Sequence, residues 1–216
     1  MLTLVIGNKQ LSSWSLRAWI LLRHLGIQFR EVALSLDTPQ FLPQVRQYSP
    51  AGRVPVLIDG EVHVWDSLAI IEYANELSGG RAWPTDRAQR AHARAIAAEM
   101  HSGFVALRTH WPMQAASRNL SVMLPPAGDA DVSRVDAIWE ECRERHASQG
   151  PWLFGEYSAA DAMYAPVVLR FNSYGARLGE YARHVLADPI LNEWLEGAAT
   201  EIAQEISHRD HRVHRE

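Results

Sequence analysis

Residues 12–17 read SSWSLR, and they decide the fold because they lie between an apolar strand and an amphipathic helix. The strand is predicted over Leu2 to Ile6. The helix is predicted over Ser15 to Leu25, where apolar side chains recur three and four positions apart. Gly26 supplies its C-terminal stop. This arrangement puts three hydroxyl groups beside the positive end of a helix.

The remainder of the first third of the chain alternates strands and helices. Phe29 to Leu34 predicts a second strand, and three prolines limit the next stretch to a short, irregular helix. Two further strands, Val54 to Ile58 and Val62 to Trp65, flank the hairpin signal Asp59-Gly60. A helix follows over Ser67 to Leu77. The order β-α-β-α-β-β-α predicts an α/β thioredoxin-like domain over residues 1–78.

The second part of the chain reads as helical almost throughout. Residues 79–86 form a linker rich in Gly and Pro, and residues 87–216 are predicted to form an all-α domain. Helices are expected over Arg87 to Leu107, Val132 to His146 and Ile190 to Ile206. A Ser-x-x-Asp capping box begins another at Ser158, in which Pro166 predicts a kink or an early end.

Composition limits the classes of function. A formal charge of −4 argues against a nucleic-acid or anionic-membrane partner. No apolar run approaches the ~18 residues of a membrane span, and the N-terminus lacks a charged leader, so a cytoplasmic protein is expected. Cys142 is the only cysteine, which excludes an intrachain disulfide and a cysteine zinc cluster. No metal is expected, because His208, His211 and His214 read as a solvated tail.

Three motifs, in this order, resemble the glutathione-binding half of a soluble glutathione S-transferase. They are SSWSLR, RVPVL over residues 53–57, and WDS over residues 65–67 at a helix start. Residues 152–161, WLFGEYSAAD, are similar to the folding signature of the family's helical domain. SSWSLR most resembles zeta-type and related bacterial branches, in which a serine replaces the tyrosine of other classes.

The resemblance implies a homodimeric detoxification enzyme with glutathione as co-substrate. Such an enzyme activates the glutathione thiol for conjugation, isomerisation or ether cleavage of a small hydrophobic or electrophilic substrate. The alternative is a non-enzymatic interaction or ligand-carrying module on the same fold, because a fold alone does not establish chemistry. A glutaredoxin-like oxidoreductase is excluded by the missing active-site cysteine.

The resemblance makes Ser12 the partner of the thiol and Ser13 its neighbour. A free thiol has a pKa near ~8.5, and lowering it by about two units corresponds to ~2.7 kcal/mol. A hydroxyl that donates to sulfur at the positive end of a helix supplies this stabilisation of the thiolate. The competing interpretation is that these serines only cap the helix.

The other two motifs are implied to hold the rest of glutathione. The backbone of Val54, before a Pro55 that is cis in the family, is expected to bind the cysteinyl peptide unit. Asp66 is expected to accept from the γ-glutamyl ammonium group, and Ser67 to hold the γ-glutamyl carboxylate at a helix N-terminus. Plain N-capping is the alternative for Asp66. The glycyl carboxylate lacks a clear partner: Gln40 and Arg53 lie where some family members carry contacts, and Lys9 is near the thiol loop.

The second substrate is expected between the domains, where the candidate side chains are Trp14, His101, Arg108, Trp111 and Arg170. Two positions depart from the zeta-type pattern. Trp14 stands in place of the cysteine of SSCS, and Ser173 stands where those isomerases carry a substrate-binding arginine, with Arg170 one turn earlier. Both departures argue against maleylacetoacetate isomerase activity.

Overall fold

The computed structural model describes the backbone of residues 1–213 and the side chains of residues 1–204. A four-stranded mixed sheet opens the chain, in the spatial order β2-β1-β3-β4. Strand β1 pairs parallel with β2 and antiparallel with β3, and β3 pairs antiparallel with β4. The strands are β1 (Leu2–Gly7), β2 (Phe29–Leu34), β3 (Val56–Asp59) and β4 (Val62–Trp65).

Three helices belong to this part of the molecule, α1 (Ser13–His24), α2 (Phe41–Val45) and α3 (Ser67–Leu77). Side chains alternate between the two faces of β1, so the helices pack on both faces of the sheet. Leu4 and Ile6 join the main core, which contains the apolar side chains of α1 and α3. Val5 points to the other face, in a smaller cluster with Val45 of α2 and Val56 of β3. The predicted thioredoxin-like order is confirmed.

The rest of the described chain, to residue 213, is mainly helical, as predicted. Its elements are α4 (Arg87–Ser102), α5 (Val105–His110), α6 (Pro126–His146), a 3-10 turn (Ala147–Gln149), α7 (Ala159–Tyr174), α8 (Glu180–Leu186) and α9 (Pro189–Val213). Helix α7 is buried over nearly its whole length and packs against α1 and α4, so it connects the sheet domain to the helical domain. No helix in the described part of the chain is both long and apolar enough to cross a membrane.

The capping box at the start of α7 is present. The buried carboxylate of Asp161 accepts hydrogen bonds from the backbone N–H and the hydroxyl of Ser158, and also from the N–H of Leu153 and the hydroxyl of Tyr181. Burial outweighs these four donors and raises the pKa of Asp161 to about 6. The motif therefore ties the loop before α7 to the core, and its role is in folding.

Several predicted helices have different bounds, and two of the differences have a clear local cause. The stretch from Arg87 to Leu107 breaks at Gly103 and Phe104, because buried Phe104 adopts a left-handed backbone with φ 55°. A Cβ at Gly103 would lie 2.8 Å from the carbonyl oxygen of Glu99, so only glycine fits this exit from α4. Helix α6 begins at Pro126 rather than Val132, because proline is well suited to the first turn of a helix.

Pro166 does not end its helix, since α7 continues to Tyr174. Packing on all sides of α7 outweighs the loss of one backbone hydrogen bond. The predicted hairpin is displaced by one residue. Its turn consists of Gly60 and Glu61, with φ 58° at Gly60, because Asp59 still pairs with Val62 at the end of the strands.

Candidate active site

Two adjoining cavities lie between the sheet domain and the helical domain. The Asp66 cavity, of about 500 Å³, is lined by Trp14, Ala51, Arg53, Val54, Pro55, Trp65, Asp66, Ser67 and His101. The Ser12 cavity, of about 360 Å³, is lined by Leu11, Ser12, Ser13, Trp14, Leu36, Phe41, Arg53, Val54, Arg108, Pro112, Met113 and Arg170. They share Trp14, Arg53 and Val54. A larger cavity of about 610 Å³ between α6 and α8 contains none of the motif residues.

Asp66 precedes α3 and caps it. Its Oδ1 accepts hydrogen bonds from the backbone N–H groups of Leu68, at 2.9 Å, and Ala69, at 3.3 Å. Its Oδ2 lies 3.2 Å from Nε2 of His101, which comes from α4. The backbone of Asp66 has φ 85° and ψ 131°, a conformation that costs energy for a residue with a Cβ. The helix cap and the contact with His101 therefore hold a carboxylate at the wall of the cavity.

Ser67 is the first residue of α3 and is 1% exposed. Its Oγ has no hydrogen-bond partner among residues 1–204, although it belongs to a side chain that lines the cavity. A helix N-terminus with an unused hydroxyl favours an anion. With the carboxylate of Asp66 beside it, the Asp66 cavity can accommodate a group that carries both an ammonium and a carboxylate.

The peptide bond between Val54 and Pro55 is cis. Pro55 is buried, and Val54 lies immediately before β3 and lines both cavities. Val54 therefore lies between the carboxylate of Asp66 and the hydroxyl cluster at Ser12.

Three serines surround the start of α1. The Oγ atoms of Ser12 and Ser15 are 2.7 Å apart, and the N–H of Gly7 donates to Ser15 Oγ at 3.1 Å. Ser12 occupies the N-cap position, but its hydroxyl makes no capping hydrogen bond within the described residues. Plain capping therefore does not explain the hydroxyl of Ser12. Instead the hydroxyl of Ser12 donates to Ser15 Oγ, so Ser15 accepts from both Ser12 and the N–H of Gly7.

Arg170 of α7 is almost fully buried against the Ser12 cavity. Its Nε donates to the carbonyl oxygen of Trp111 at 2.8 Å, and its Nη1 donates to that of Pro166 at 3.2 Å. Its Nη2 donates to Ser13 Oγ at 3.3 Å. All three acceptors are neutral, so the charge of Arg170 is held in place without being neutralised by them.

Two further arginines flank the ring of Trp14. The guanidinium carbon of Arg17 lies 4.2 Å from the ring centre, and that of Arg108 lies 5.3 Å from it. The side chain of Arg17 is fully buried; its Nε donates to the carbonyl oxygen of Met163, and its two Nη atoms have no partner in the described part of the chain. Arg108 is half-buried, and its Nε donates to the carbonyl oxygen of Gly103 at 3.0 Å.

The electrostatics of these arginines reflect burial and mutual repulsion. Burial, reinforced by Arg170 and Arg108, holds the pKa of Arg17 well below its ordinary value. Burial and repulsion from Arg108 lower the pKa of Arg170 to about 10. The pKa of Arg108 is also lowered, by its partial burial. The region beneath the Ser12 cavity is therefore electropositive.

Some of the residues predicted for the site lie elsewhere. Trp111 does not line either cavity; its ring stacks on Tyr174 at 5.2 Å, and its indole N–H donates to the carbonyl oxygen of Val122. Gln40 is exposed at the start of α2 and lines neither cavity. Ser173, at the position of the zeta-type arginine, is buried and donates to the carbonyl oxygen of Gln114.

Sequence reasoning did not assign a role to Ser15 or Arg17. Both lie in SSWSLR, so their position in the motif was the available signal, but only the fold shows which hydroxyl and which face of Trp14 they contact. The side chains of His208, His211 and His214 lie outside the described residues.

Two family models match the chain. One describes the glutathione S-transferase N-terminal domain and matches residues 11–77; the other describes the glutathione S-transferase C-terminal domain and matches residues 125–197. A relative called probable maleylacetoacetate isomerase, from Caenorhabditis elegans, is 34% identical over 172 residues, which is 78% of each chain. The dichloromethane dehalogenase of Methylorubrum extorquens is 53% identical over 58 residues, 26% of this chain and 20% of that one.

Solved structures share the fold. A glutathione transferase homologue from Burkholderia, solved with bound glutathione, superposes with a TM-score of 0.69 at 22% identity, covering 92% of this chain and 98% of that one. A Tau class glutathione S-transferase from mango, Mangifera indica, superposes with a TM-score of 0.69 at 20% identity, covering 94% and 97%.

The chain belongs to the glutathione S-transferase family. This confirms the predicted fold class and the predicted class of enzyme, a glutathione-dependent transferase with glutathione as its co-substrate. The roles of individual residues, the second substrate and the oligomeric state remain predictions.

Proposed function

We propose that glutathione lies across both cavities, with its γ-glutamyl end in the Asp66 cavity and its thiol in the Ser12 cavity. The observation that carries this proposal is the junction at Val54, which lines both cavities between the Asp66–Ser67 pair and the hydroxyl of Ser12. A tripeptide that spans this junction brings its ammonium group, its peptide unit and its thiol to three different partners.

At the γ-glutamyl end, Asp66 Oδ2 accepts from the ammonium group, while the carboxylate takes the free hydroxyl of Ser67 and the N-terminus of α3. Both partners are held by the fold before binding, because Asp66 caps the helix through its other oxygen and Ser67 is buried. Charge-assisted hydrogen bonds of this type are roughly twice as strong as those between neutral groups. For the glycyl carboxylate we propose Arg53, which lines both cavities, rather than Gln40.

Ser12 activates the thiol in this proposal. In the structure Ser12 Oγ donates to Ser15 Oγ, which also accepts from the N–H of Gly7. A hydroxyl rotates to suit its partners, so on glutathione binding Ser12 turns its proton to sulfur and Ser15 donates to Ser12 in return. The chain Gly7 N–H, Ser15, Ser12, sulfur stabilises the thiolate at the N-terminus of α1. The thiol proton leaves to solvent, sulfur forms a bond to the electrophilic carbon, and the leaving group departs with its electron pair.

A turnover screen tests the proposed function. The protein is incubated with glutathione and a panel of small electrophiles, and conjugates are identified by mass spectrometry against a protein-free control. Calorimetry with glutathione alone measures binding independently. Binding with turnover supports the proposal, whereas binding without any conjugate supports the non-enzymatic module on the same fold.

The isomerase is the second candidate function, favoured by the relative from Caenorhabditis elegans that is called a probable maleylacetoacetate isomerase. Two features of the site weigh against the zeta-type arginine contact, although Arg108 lines the same cavity and has both Nη atoms free for a carboxylate among the described residues. Ser173 is bonded to a backbone carbonyl, and the three nitrogens of Arg170 are occupied by neutral protein groups. Direct assay of maleylacetoacetate isomerisation separates this activity from conjugation.

We also propose a homodimer that works in the reducing cytoplasm. Val62 and Trp65 of β4 are exposed apolar side chains, which is consistent with a subunit contact on the sheet domain. Light scattering at micromolar concentration is expected to give about twice the chain mass of 24.3 kDa. A value equal to the chain mass contradicts the dimer.

A further inference from the structure

We infer that the Ser12 cavity selects an electrophile that carries a carboxylate, with Arg108 as the residue that recognises it. The inference rests on the proposed function, in which the thiol of glutathione lies in this cavity. It extends that function by naming the chemical class of the second substrate.

The charged side chains described in the lining of the Ser12 cavity are all positive. Within the described residues its lining contains three arginines, Arg53, Arg108 and Arg170, and no aspartate or glutamate. A fourth arginine, Arg17, lies behind the ring of Trp14. Apart from these groups, the lining is mainly apolar, with Leu36, Phe41 and Met113 as its larger side chains. Its volume of about 360 Å³ fits a small apolar body bearing a negative charge.

These cations lack carboxylate partners of their own. Arg108, Arg170 and Arg17 take part in no salt bridge among residues 1–204. Asp131 is the acidic residue whose charge acts on the pKa of Arg108, but its Oδ2 accepts a hydrogen bond from the backbone N–H of Leu107. A buried charge without a partner is costly, so a bound anion gains energy from a cavity of this kind.

Glutathione does not use up this positive charge. Its γ-glutamyl carboxylate belongs at Ser67 and its glycyl carboxylate at Arg53, which leaves one thiolate for Arg108 and Arg170, with Arg17 against the far side of the Trp14 ring. A second negative charge, on the electrophile, is therefore favourable rather than repelled. A neutral second substrate would leave most of this positive charge uncompensated.

Arg108 is the arginine that can reach such a substrate. Arg170 has all three nitrogens bonded to the protein, and Arg17 is separated from the cavity by Trp14. Arg108 lines the cavity, is anchored only through Nε, and has no hydrogen bond from either Nη atom in the part of the chain that is described. Two free Nη groups on a held guanidinium suit a carboxylate with its two oxygens.

A matched pair of benzylic chlorides tests the inference. The acid is 4-(chloromethyl)benzoate, and the neutral control of similar shape is 4-(chloromethyl)benzamide. In both, the thiolate displaces chloride: the C–S bond forms, the C–Cl bond breaks, and chloride leaves with the electron pair. After division by the uncatalysed rates, kcat/KM is expected to favour the acid by about tenfold, the effect of one charge-assisted contact.

Arg108→Gln is expected to lower kcat/KM for the acid by about tenfold and to change that for the amide by less than about twofold. Arg108→Lys should restore part of the preference, because it returns the charge without the planar fork. Arg87→Gln, at the exposed start of α4, removes the same charge away from the cavity and serves as the control. An equal loss for both substrates in Arg108→Gln overturns the inference, because Arg108 then acts only on the fold or on the thiolate.

Product binding supplies a measurement that does not depend on turnover. Calorimetry compares S-(4-carboxybenzyl)glutathione with S-(4-carbamoylbenzyl)glutathione on the parent and on Arg108→Gln. Tighter binding of the acid, lost in Arg108→Gln, supports the inference. Equal binding of both products overturns it while leaving the proposed function intact, whereas failure to bind either product or glutathione itself contradicts the proposed function.

Discussion

The two cavities of the site differ in how they are built and in the charge they present. Among residues 1–204, the Asp66 cavity is formed largely by residues 51–67, with one acid at a helix N-terminus and a single side chain, His101, from the helical domain. The Ser12 cavity combines the first loop with arginines from α5 and α7, and the contact between Ser13 and Arg170 joins residues 157 positions apart. The Asp66 cavity therefore depends mainly on one short segment of the chain, whereas the Ser12 cavity depends on how the two domains pack.

The largest effect is expected at Ser12. Ser12→Ala should lower kcat at about pH 6.5 by up to about a hundredfold, the effect of a two-unit rise in thiol pKa, with a modest change in the KM for glutathione. The defect should shrink toward pH ~9, where the thiol ionises unaided. Steady-state kinetics across this range, with Ser12→Thr as the variant that keeps a hydroxyl, provide the measurement.

If Ser13→Ala or Ser15→Ala shows the largest loss of kcat at low pH, the contact with the thiol is assigned to that serine. If all three alanine variants keep the parent's pH profile, the helix N-terminus and the backbone activate the thiol without a hydroxyl.

A smaller effect is expected at Asp66, in the other cavity. Asp66→Ala should weaken glutathione binding by about tenfold, or ~1.4 kcal/mol, since it removes a charged acceptor of the ammonium group. Asp66→Asn keeps an oxygen that can cap α3 and lacks the charge, so it separates recognition from capping. Calorimetry that finds parent affinity in both variants reassigns Asp66 to the cap alone.

The smallest of the three effects is expected at Ser15. Ser15→Ala removes the neutral hydrogen bond between Ser12 and Ser15, worth about 1 kcal/mol or ~0.7 pKa unit, so kcat at about pH 6.5 should fall roughly threefold. Glutathione affinity and thermal stability are measured beside it, because a merely structural loss lowers stability without shifting the pH profile. A parent-like profile in Ser15→Ala removes this residue from the chain that reaches the thiol.

The sequence predicted the parts of the molecule that depend on neighbours along the chain. The local geometry of three motifs depends mainly on adjacent residues: SSWSLR, the proline before β3 and the Asp-Ser pair at the start of α3. The structure places Ser12, Val54 and Asp66 around one cleft. Trp111 and Gln40 were candidates by position only. Tertiary packing buries the ring of Trp111 against Tyr174, and Gln40 faces solvent.

Long-range packing also explains what the sequence did not predict. The break at Phe104 depends on burying that side chain in the core, and it is this break that begins the short helix carrying Arg108. Trp14 and Arg17 are neighbours because they lie three residues apart on α1. The burial of Arg17 against α7, where its Nε donates to the carbonyl oxygen of Met163, follows from packing that no pattern along either helix specifies. The charge of the Ser12 cavity was therefore visible only in the folded chain.

The most direct test of the account is a titration of the thiolate in the complex of this protein with glutathione. Ultraviolet difference absorbance of the thiolate is followed against pH in the parent and in Ser12→Ala, with free glutathione as the reference. The account predicts a thiol pKa about two units below the free value of ~8.5 in the parent, and a clear rise toward the free value in Ser12→Ala, in which the helix N-terminus and the arginines still act on the thiolate. A thiol that titrates in the parent complex as it does in free glutathione contradicts the account.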